Sequence, residues 1–188
     1  MHLIKVGGGA EINLSGIVAD LAELDTPFVV VLGANALRDE IGQKLGLEKQ
    51  ELTSVSGYKS VYSDESAIDL IMMAYAGLRN RRFVELCQRY GINAVGLTGL
   101  DGRMVQGQRN RGIRVREGGK TLLKHDFSGK PKSANTDLLR LLLEQGYRPV
   151  LSIPIVDEQG FAINSENDDI VNVLQKSLHA EKILQLIE

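Results

Sequence analysis

Leu3-Ile4-Lys5-Val6-Gly7-Gly8-Gly9 decides how this chain is read. A short apolar strand runs straight into three glycines, and a helical pattern resumes near Leu14. Lys5 interrupts the apolar run just before the loop. A strand, a glycine turn and a helix N-terminus can cradle an anion, because glycines let backbone N–H groups converge and the helix end adds a positive dipole. A lysine at the strand end can bridge anionic oxygens as a point charge. A tight βα turn with a surface lysine would use the same residues, so both readings stay open on pattern alone. Two better-known fingerprints fail. G-x-G-x-x-G would take Gly7 and Gly9, but its third glycine falls on Ile12, and no stretch supplies G-x-x-x-x-G-K-[ST].

Working outward, the same unit recurs. A helix is predicted over roughly 14–24, with Ile17, Val18, Leu21 and Leu24 on one face, Asn13 or Ser15 as its cap and Asp25-Thr26-Pro27 as its stop. Phe28–Leu32 is continuously apolar, as in a parallel strand covered on both faces. It ends in Gly33-Ala34-Asn35, and another helix starts near Ala36. Two such units predict an α/β fold whose ligands bind at the carboxyl ends of the strands. Residues 52–62 read as an irregular hairpin around Ser56-Gly57. Ser63-Asp64 then caps a long helix that is apolar on nearly every side from Ala67 to Tyr75. Such a helix is buried, in the core or against a second subunit, and a dimer interface over 65–80 is the favoured reading. Further along, a strand is expected at Asn93–Leu97, a helix over Ala134–Gln145, strands at Val150–Pro154 and Phe161–Ile163, and a last strand from Ile183.

The chain has 188 residues, 43% hydrophobic and 24% charged, which suits one domain or a large lobe. Its net charge of −2 gives no global nucleic-acid signature. Cys87 is the only cysteine, so no internal disulfide forms, and its apolar helical setting predicts a buried thiol. Met1 leads directly into a strand with no signal peptide, and no apolar run is long enough to span a membrane, which predicts a cytoplasmic protein. Charge is uneven. Residues 101–132 hold nine basic and three acidic side chains, net +6, against thirteen basic and twenty-one acidic elsewhere, net −8. Within them Ile113, Val115 and Leu122-Leu123 flank Glu117-Gly118-Gly119-Lys120, a hairpin signal. This flap is either solvated with incidental charge or a docking surface for an acidic partner. With no aromatic residue but Phe127, it does not suit nucleic acid. Asn164-Ser165-Glu166-Asn167-Asp168-Asp169 leads into another helix, and its three carboxylates and two amides exceed what a cap requires.

Together these pieces resemble the N-terminal lobe of the amino acid kinase family. Within it they resemble most the acetylglutamate kinases and the kinases acting on aminoadipate or glutamate attached to an amino-group carrier protein. The resemblance covers the whole chain. It is carried by Lys5-Val6-Gly7-Gly8, by Asn93-Ala94-Val95-Gly96-Leu97-Thr98-Gly99-Leu100-Asp101-Gly102-Arg103, by Gly146-Tyr147-Arg148-Pro149-Val150, and by Asn164, Glu166 and Asp168 on the family's Asn-x-[Asn/Asp]-x-Asp motif, with Glu in the middle place. The implied fold is a three-layer αβα sandwich with a mostly parallel central sheet and a β-hairpin flap. The implied reaction moves the γ-phosphoryl group of ATP to a side-chain carboxylate, giving an acyl phosphate in lysine or arginine biosynthesis.

By position, the resemblance makes Lys5 the contact to the transferring phosphoryl group and Asp168 the residue that orients catalytic lysines. Gly7 and Gly8, with Gly33 and Ala34 on the second loop, would bind phosphate. Asn164, Glu166 and the place of Val61 would meet the substrate. ATP and Mg2+ are the implied cofactors, with no residue assigned as a metal ligand. The implied partners are a second copy and an acidic carrier protein at the hairpin 103–132, with no nucleic acid and no membrane. Three departures stand out. The family's His-Gly-Gly loop is Leu32-Gly33-Ala34 here, and an Ala methyl obstructs close backbone approach. The arginine the family places after the first hairpin is Val61, with Lys59 nearby, and a lysine does not replace a bidentate guanidinium. The nucleotide lobe, with its adenine pocket and second catalytic lysine, is expected to be missing from residues 1–188, which leaves the chain alone incomplete for catalysis. A rival class remains: a catalytically degenerate binding or regulatory module that kept the fold.

Overall fold

The computed structural model describes residues 1–47, 49–57 and 59–187, and at 59 and 60 the backbone only. The elements are β1 (His2–Val6), α1 (Leu14–Ala22), β2 (Phe28–Leu32), α2 (Asn35–Leu45), β3 (Gln50–Thr53), β4 (Lys59–Tyr62), α3 (Glu65–Ile71), a π-helical stretch (Met72–Arg79) and α4 (Asn80–Arg89). Then follow β5 (Ala94–Thr98), β6 (Val105–Arg109), β7 (Ile113–Glu117), β8 (Lys120–Lys124), β9 (Gly129–Ala134), α5 (Asp137–Glu144), β10 (Arg148–Ser152), β11 (Ile155–Val156), β12 (Ala162–Ile163), α6 (Asn167–Leu178) and β13 (Lys182–Leu186).

The central sheet has five strands in the order β13-β1-β2-β10-β5, every pair parallel. Alternation along the strands divides the apolar residues between two cores. Leu3, Val29, Val31 and Leu151 pack toward Ile68, Tyr75, Leu139 and the α6 residues Ile170, Val171 and Leu174. Ile4, Val6, Phe28, Val30 and Leu32 pack toward Val18 and Leu21 of α1 and Phe83 and Cys87 of α4. This is the αβα sandwich that the family resemblance implies, built on the α/β order that the alternation predicts. Lys5 shares the parity of Leu3, so its side chain leaves the sheet on the α6 side.

The long helix of residues 65–89 serves both cores: Ile68, Ile71, Ala74 and Tyr75 belong to the first, Phe83 and Cys87 to the second. Between them Asn80 is fully buried and donates to the carbonyls of Leu97 and Val150. A Cβ on Gly96 would lie 1.9 Å from Asn80 Oδ1, so glycine there is what lets the helix approach β5. Asn13 caps α1 by accepting from the Gly16 amide at 3.1 Å, and Asp64 caps α3 by accepting from Ala67 at 2.8 Å.

Several expected boundaries shift by a few residues, and two shifts have a plain physical reason. The helix expected from Ala134 begins at Asp137, because Ala134 pairs with Val105 in the β6–β9 ladder and the Asn135 amide donates to Met104. The strand expected over Val150–Pro154 runs Arg148–Ser152, since Pro154 offers no N–H to a ladder. Outside the central sheet, β3 and β4 form the first hairpin, and β6 and β9 carry the β7–β8 hairpin as the flap. The flap rests on the first hairpin where the Val55 amide donates to the Arg114 carbonyl at 2.8 Å. Its base is tied to the start of α3: the Ser63 amide donates to Asp126 Oδ1 at 3.0 Å and the Phe127 amide to the Ser63 carbonyl at 2.7 Å.

Candidate active site

The loops after β1 and β2 meet at the carboxyl end of the sheet. Their contact is backbone on backbone: a Cβ on Gly8 would lie 2.5 Å from the Asn35 nitrogen, and one on Gly33 would lie 2.7 Å from the Gly8 nitrogen. The Gly8 carbonyl accepts from the Ala36 amide at 2.9 Å and so caps α2, which has no side-chain cap of its own. The positive end of α2 therefore sits against the first glycine loop. A cavity of about 570 Å³ lies beside one of about 560 Å³ here. The 560 Å³ cavity holds Lys5, Gly7, Gly8, Gly9, Gly33 and the stretch 164–168.

Lys5 and Asp168, 163 residues apart, meet there with Nζ 2.5 Å from Oδ1. The lysine is 14% exposed and the aspartate 60%, so the pair is open on the carboxylate side. Asp168 stands in the first turn of α6, and Glu166, at the capping position before it, makes no side-chain cap and lines the same cavity. Ser165 Oγ and Asn167 Oδ1, on the same wall, are buried without a partner among the described residues. Buried polar atoms are nearly always paired, so a wall with two orphans suits a polar ligand.

Donor positions differ from the sequence reading. The Gly7 amide donates to the Leu186 carbonyl at 2.8 Å and the Gly33 amide to the Val6 carbonyl at 2.8 Å, so both continue the sheet. The amides of Gly8 and Gly9 find no acceptor among the described residues, and both glycines line the cavity. Ala34 is also corrected. Its side chain is fully buried in the first core, its φ is −152°, and it does not line the cavity, so its methyl does not obstruct the loop.

Asn164 is held by its backbone, which donates to the Phe127 carbonyl at 2.7 Å and accepts from the Gly129 amide at 2.9 Å. Val61, 40% exposed, borders the neighbouring cavity with Ser63 and Ala67. The Lys59 side chain lies outside the described residues. Sequence reasoning missed Tyr75 and Arg38. Tyr75 is buried, and its hydroxyl bonds Asn35 Oδ1 and the backbone of Ala34. Burial pushes the phenol above its usual range, the Arg38 guanidinium and the Ala34 amide pull it down, and Glu166 and Asp39 push it up. A tyrosine inside an apolar helical run was the available signal, because a buried hydroxyl needs a partner.

In the flap, Arg109 is not a free charge. Its Nε stands 3.7 Å from Oδ2 of the fully buried Asp157, and its guanidinium lies 5.0 Å from the Phe127 ring centroid. That Asp157 oxygen has no hydrogen bond among the described residues, so the arginine contact is electrostatic rather than a bond. Glu117 pairs with Lys124 at 3.1 Å, and Arg111, Arg114 and Arg116 are exposed on the flap, as are Lys120, Lys130 and Lys132.

Residues 2–187 match the amino acid kinase family. The chain belongs to that family. It is 38% identical to a LysW-aminoadipate kinase of Deinococcus radiodurans over 190 residues, covering 99% of this chain and 65% of the relative. It is 36% identical to the LysW-aminoadipate kinase of Thermus thermophilus, covering 99% of this chain and 71% of the relative. The chain therefore spans about two thirds of the length of these curated relatives. The family fold recurs in N-acetylglutamate synthase from Neisseria gonorrhoeae, solved with coenzyme A and N-acetyl-glutamate, at a TM-score of 0.70 and 19% identity, covering 98% of this chain and 41% of that one. Among the described residues of this kinase-family chain, no group of His, Cys, Asp or Glu is placed to hold a metal ion, and no helix is long and apolar enough to cross a membrane.

Proposed function

We propose that this chain is the acceptor-holding lobe of a kinase that moves the γ-phosphoryl group of ATP to the side-chain carboxylate of an N-blocked amino dicarboxylic acid. The acceptor that fits best is 2-aminoadipate or glutamate on an acidic carrier protein, with N-acetylglutamate as the free counterpart, in lysine or arginine biosynthesis. The observation that carries this reading is the meeting of Lys5 and Asp168 in one cavity with the amides of Gly8 and Gly9, which are unpaired among the described residues.

ATP with Mg2+, when bound, would supply the phosphoryl group. An acceptor carboxylate is already ionised near neutral pH, so the reaction needs no general base. What it needs is compensation for two anions brought together and an in-line arrangement. Lys5 supplies a cation at the strand end, Gly8 and Gly9 supply amides, and α2 adds its positive end. Asp168 holds the Lys5 ammonium in place and takes no proton. Asn164 holds the amino-acid end of the acceptor. The adenine pocket and the second catalytic lysine belong, in this reading, to a second lobe, and residues 1–188 alone do not turn over ATP. The exposed cations of the flap receive the carrier protein. The similarity to LysW-dependent enzymes and the +6 charge support this. Exposed Met73 and Leu78, on the helix of 65–89, form the homodimer contact of a cytoplasmic enzyme.

Leu32 and Val61, where the family has polar residues, support the second reading, a binding module without turnover. Trapping the acyl phosphate with hydroxylamine separates the two. The kinase reading predicts an ATP- and acceptor-dependent hydroxamate from the full-length protein, and acceptor binding without hydroxamate would favour the module.

A further inference from the structure

Any N-blocked amino dicarboxylate carries two carboxylates. One takes the phosphoryl group beside Lys5, and the other is a spectator that must be held a few bonds away. Among the described residues only Arg38 and Asn164 line both cavities, and Arg38 is the only cation that does. The neighbouring cavity is bounded by α2, the end of β4 and the start of α3, with Gly42, Leu47, Val61, Ala67 and Leu70 on its walls. Val61 brings only methyl groups to that rim.

Arg38 is well placed to grip an anion. It lies in the first turn of α2, its amide donating to the Ala34 carbonyl at 2.8 Å. The Gly8 carbonyl caps the same turn, so one pair of loops fixes both Arg38 and the Lys5 cavity. Its side chain is 19% exposed. Nε and Nη2 both donate to Asp39 Oδ1, at 2.8 and 2.7 Å, which locks the guanidinium plane. Nη1 meets no acceptor among the described residues, so the outer edge is open to a carboxylate. The other cavity carboxylates are engaged: Asp168 by Lys5, Glu40 by Lys44 and Asp64 by the Ala67 amide. Glu166 remains, and it faces an acceptor of two negative charges. A second fixed cation is therefore required, and Lys49 lines only the neighbouring cavity. The charge of Arg38 is felt inside the site, where it opposes the effect of burial on the Tyr75 phenol.

We propose that Arg38 is the specificity-determining residue of the acceptor site, its outer guanidinium edge holding the main-chain carboxylate of the amino dicarboxylate whose side-chain carboxylate lies against Lys5. The assignment rests on the acceptor reading above and adds the residue that selects for a dicarboxylate. Asn164 Nδ2 points to Ser63 Oγ at 3.4 Å, which leaves its Oδ1 for the blocked amino N–H between the two carboxylates.

The test is an NMR titration of this chain with N-acetyl-L-2-aminoadipate and with the analogue whose main-chain carboxylate is a carboxamide. Wild type should bind the acid about ten- to a hundredfold more tightly than the amide, the range for one charge-assisted hydrogen-bonded contact. Arg38→Gln should lose that factor for the acid and none for the amide, and adding Val61→Arg to Arg38→Gln should restore part of it. Equal binding of the acid by wild type and Arg38→Gln overturns the assignment and leaves the acceptor reading standing. An equal loss for acid and amide also overturns it, as the mark of a merely structural arginine. If wild type binds neither compound, the acceptor reading falls and the assignment with it.

Discussion

At the glycine end of the sheet, Gly8 and Gly33 touch backbone to backbone, and Lys5 is 14% exposed beside Asp168. In the flap, a Cβ on Gly118 or Gly119 would meet nothing within 4 Å among the described residues, and Arg111, Arg114 and Arg116 stand in solvent. Both regions are polar and both border cavities. The first is held by contacts that admit no added atom, so its chemistry and its stability share the same backbone. The second is held at its base and free at its tip, so its charge can change with little effect on the fold. Arg109 is the exception. It belongs to the flap by sequence, yet it serves the buried Asp157.

Several substitutions sharpen or break this contrast. Gly8→Ala should cost the most, about 3 kcal/mol, because the new methyl meets backbone that cannot swing away. Gly118→Ala should cost about 1 kcal/mol, through its φ of +55° alone. Urea unfolding of both would erase the contrast if the two losses were equal. Next, Arg109→Gln should cost up to about 3 kcal/mol by leaving Asp157 buried without its cation, while Arg114→Gln stays within about 0.5 kcal/mol. A neutral Arg109→Gln would return Arg109 to the solvated set.

Charge reversal of Arg111, Arg114 and Arg116 to Glu leaves stability nearly unchanged and acts on encounter instead. Stopped-flow association with an acidic carrier protein should slow about tenfold at low salt, and much less once the screening length falls below about 8–10 Å. Equal rates and equal salt slopes for wild type and variant would make the flap an ordinary solvated hairpin. The smallest effect is a control away from both regions. Burial pushes the Cys87 thiol up to about 12, against an ordinary value of roughly 8.5. The folded state therefore holds this proton more tightly than the unfolded one. The associated stability is whole below the unfolded value and is lost as pH rises from about 9 toward 12. Native labelling at pH 8 should be limited by unfolding, and fast direct labelling would contradict that burial.

The order of the central strands and the helices was legible because those elements satisfy local rules, whereas β6, β9 and β11 were not foreseen. Phe28–Leu32 reads as a doubly covered strand, Asn13 or Ser15 and Ser63-Asp64 read as caps, of which Asn13 and Asp64 make the bonds, and the strand–small loop–helix unit recurs. The Ala134 boundary was not legible, since a ladder to Val105 outweighs its helical surroundings. In the site, Lys5 and Asp168 were reached through motif resemblance, while their meeting depends on α6 packing under β1. Gly7 was read as a donor beside Gly8, and only the pairing with β13 shows that the Gly7 amide continues the sheet. Tyr75 and the buried role of Arg109 depend on partners 40 to 48 residues away, and Arg38 on cavity shape, and such features leave no local signature.

The central claim is that the glycine end carries the chemistry and the flap carries the encounter. The most direct measurement is hydroxamate trapping with the full-length protein, comparing Lys5→Met with the Arg111, Arg114, Arg116→Glu variant across a range of carrier-linked acceptor. Lys5→Met should lower kcat by about a hundred- to a thousandfold, the scale for losing one charge-stabilising group in the transition state, with acceptor affinity little changed. The flap variant should lower kcat/KM and keep kcat. A Lys5→Met enzyme that retains its kcat would contradict the account.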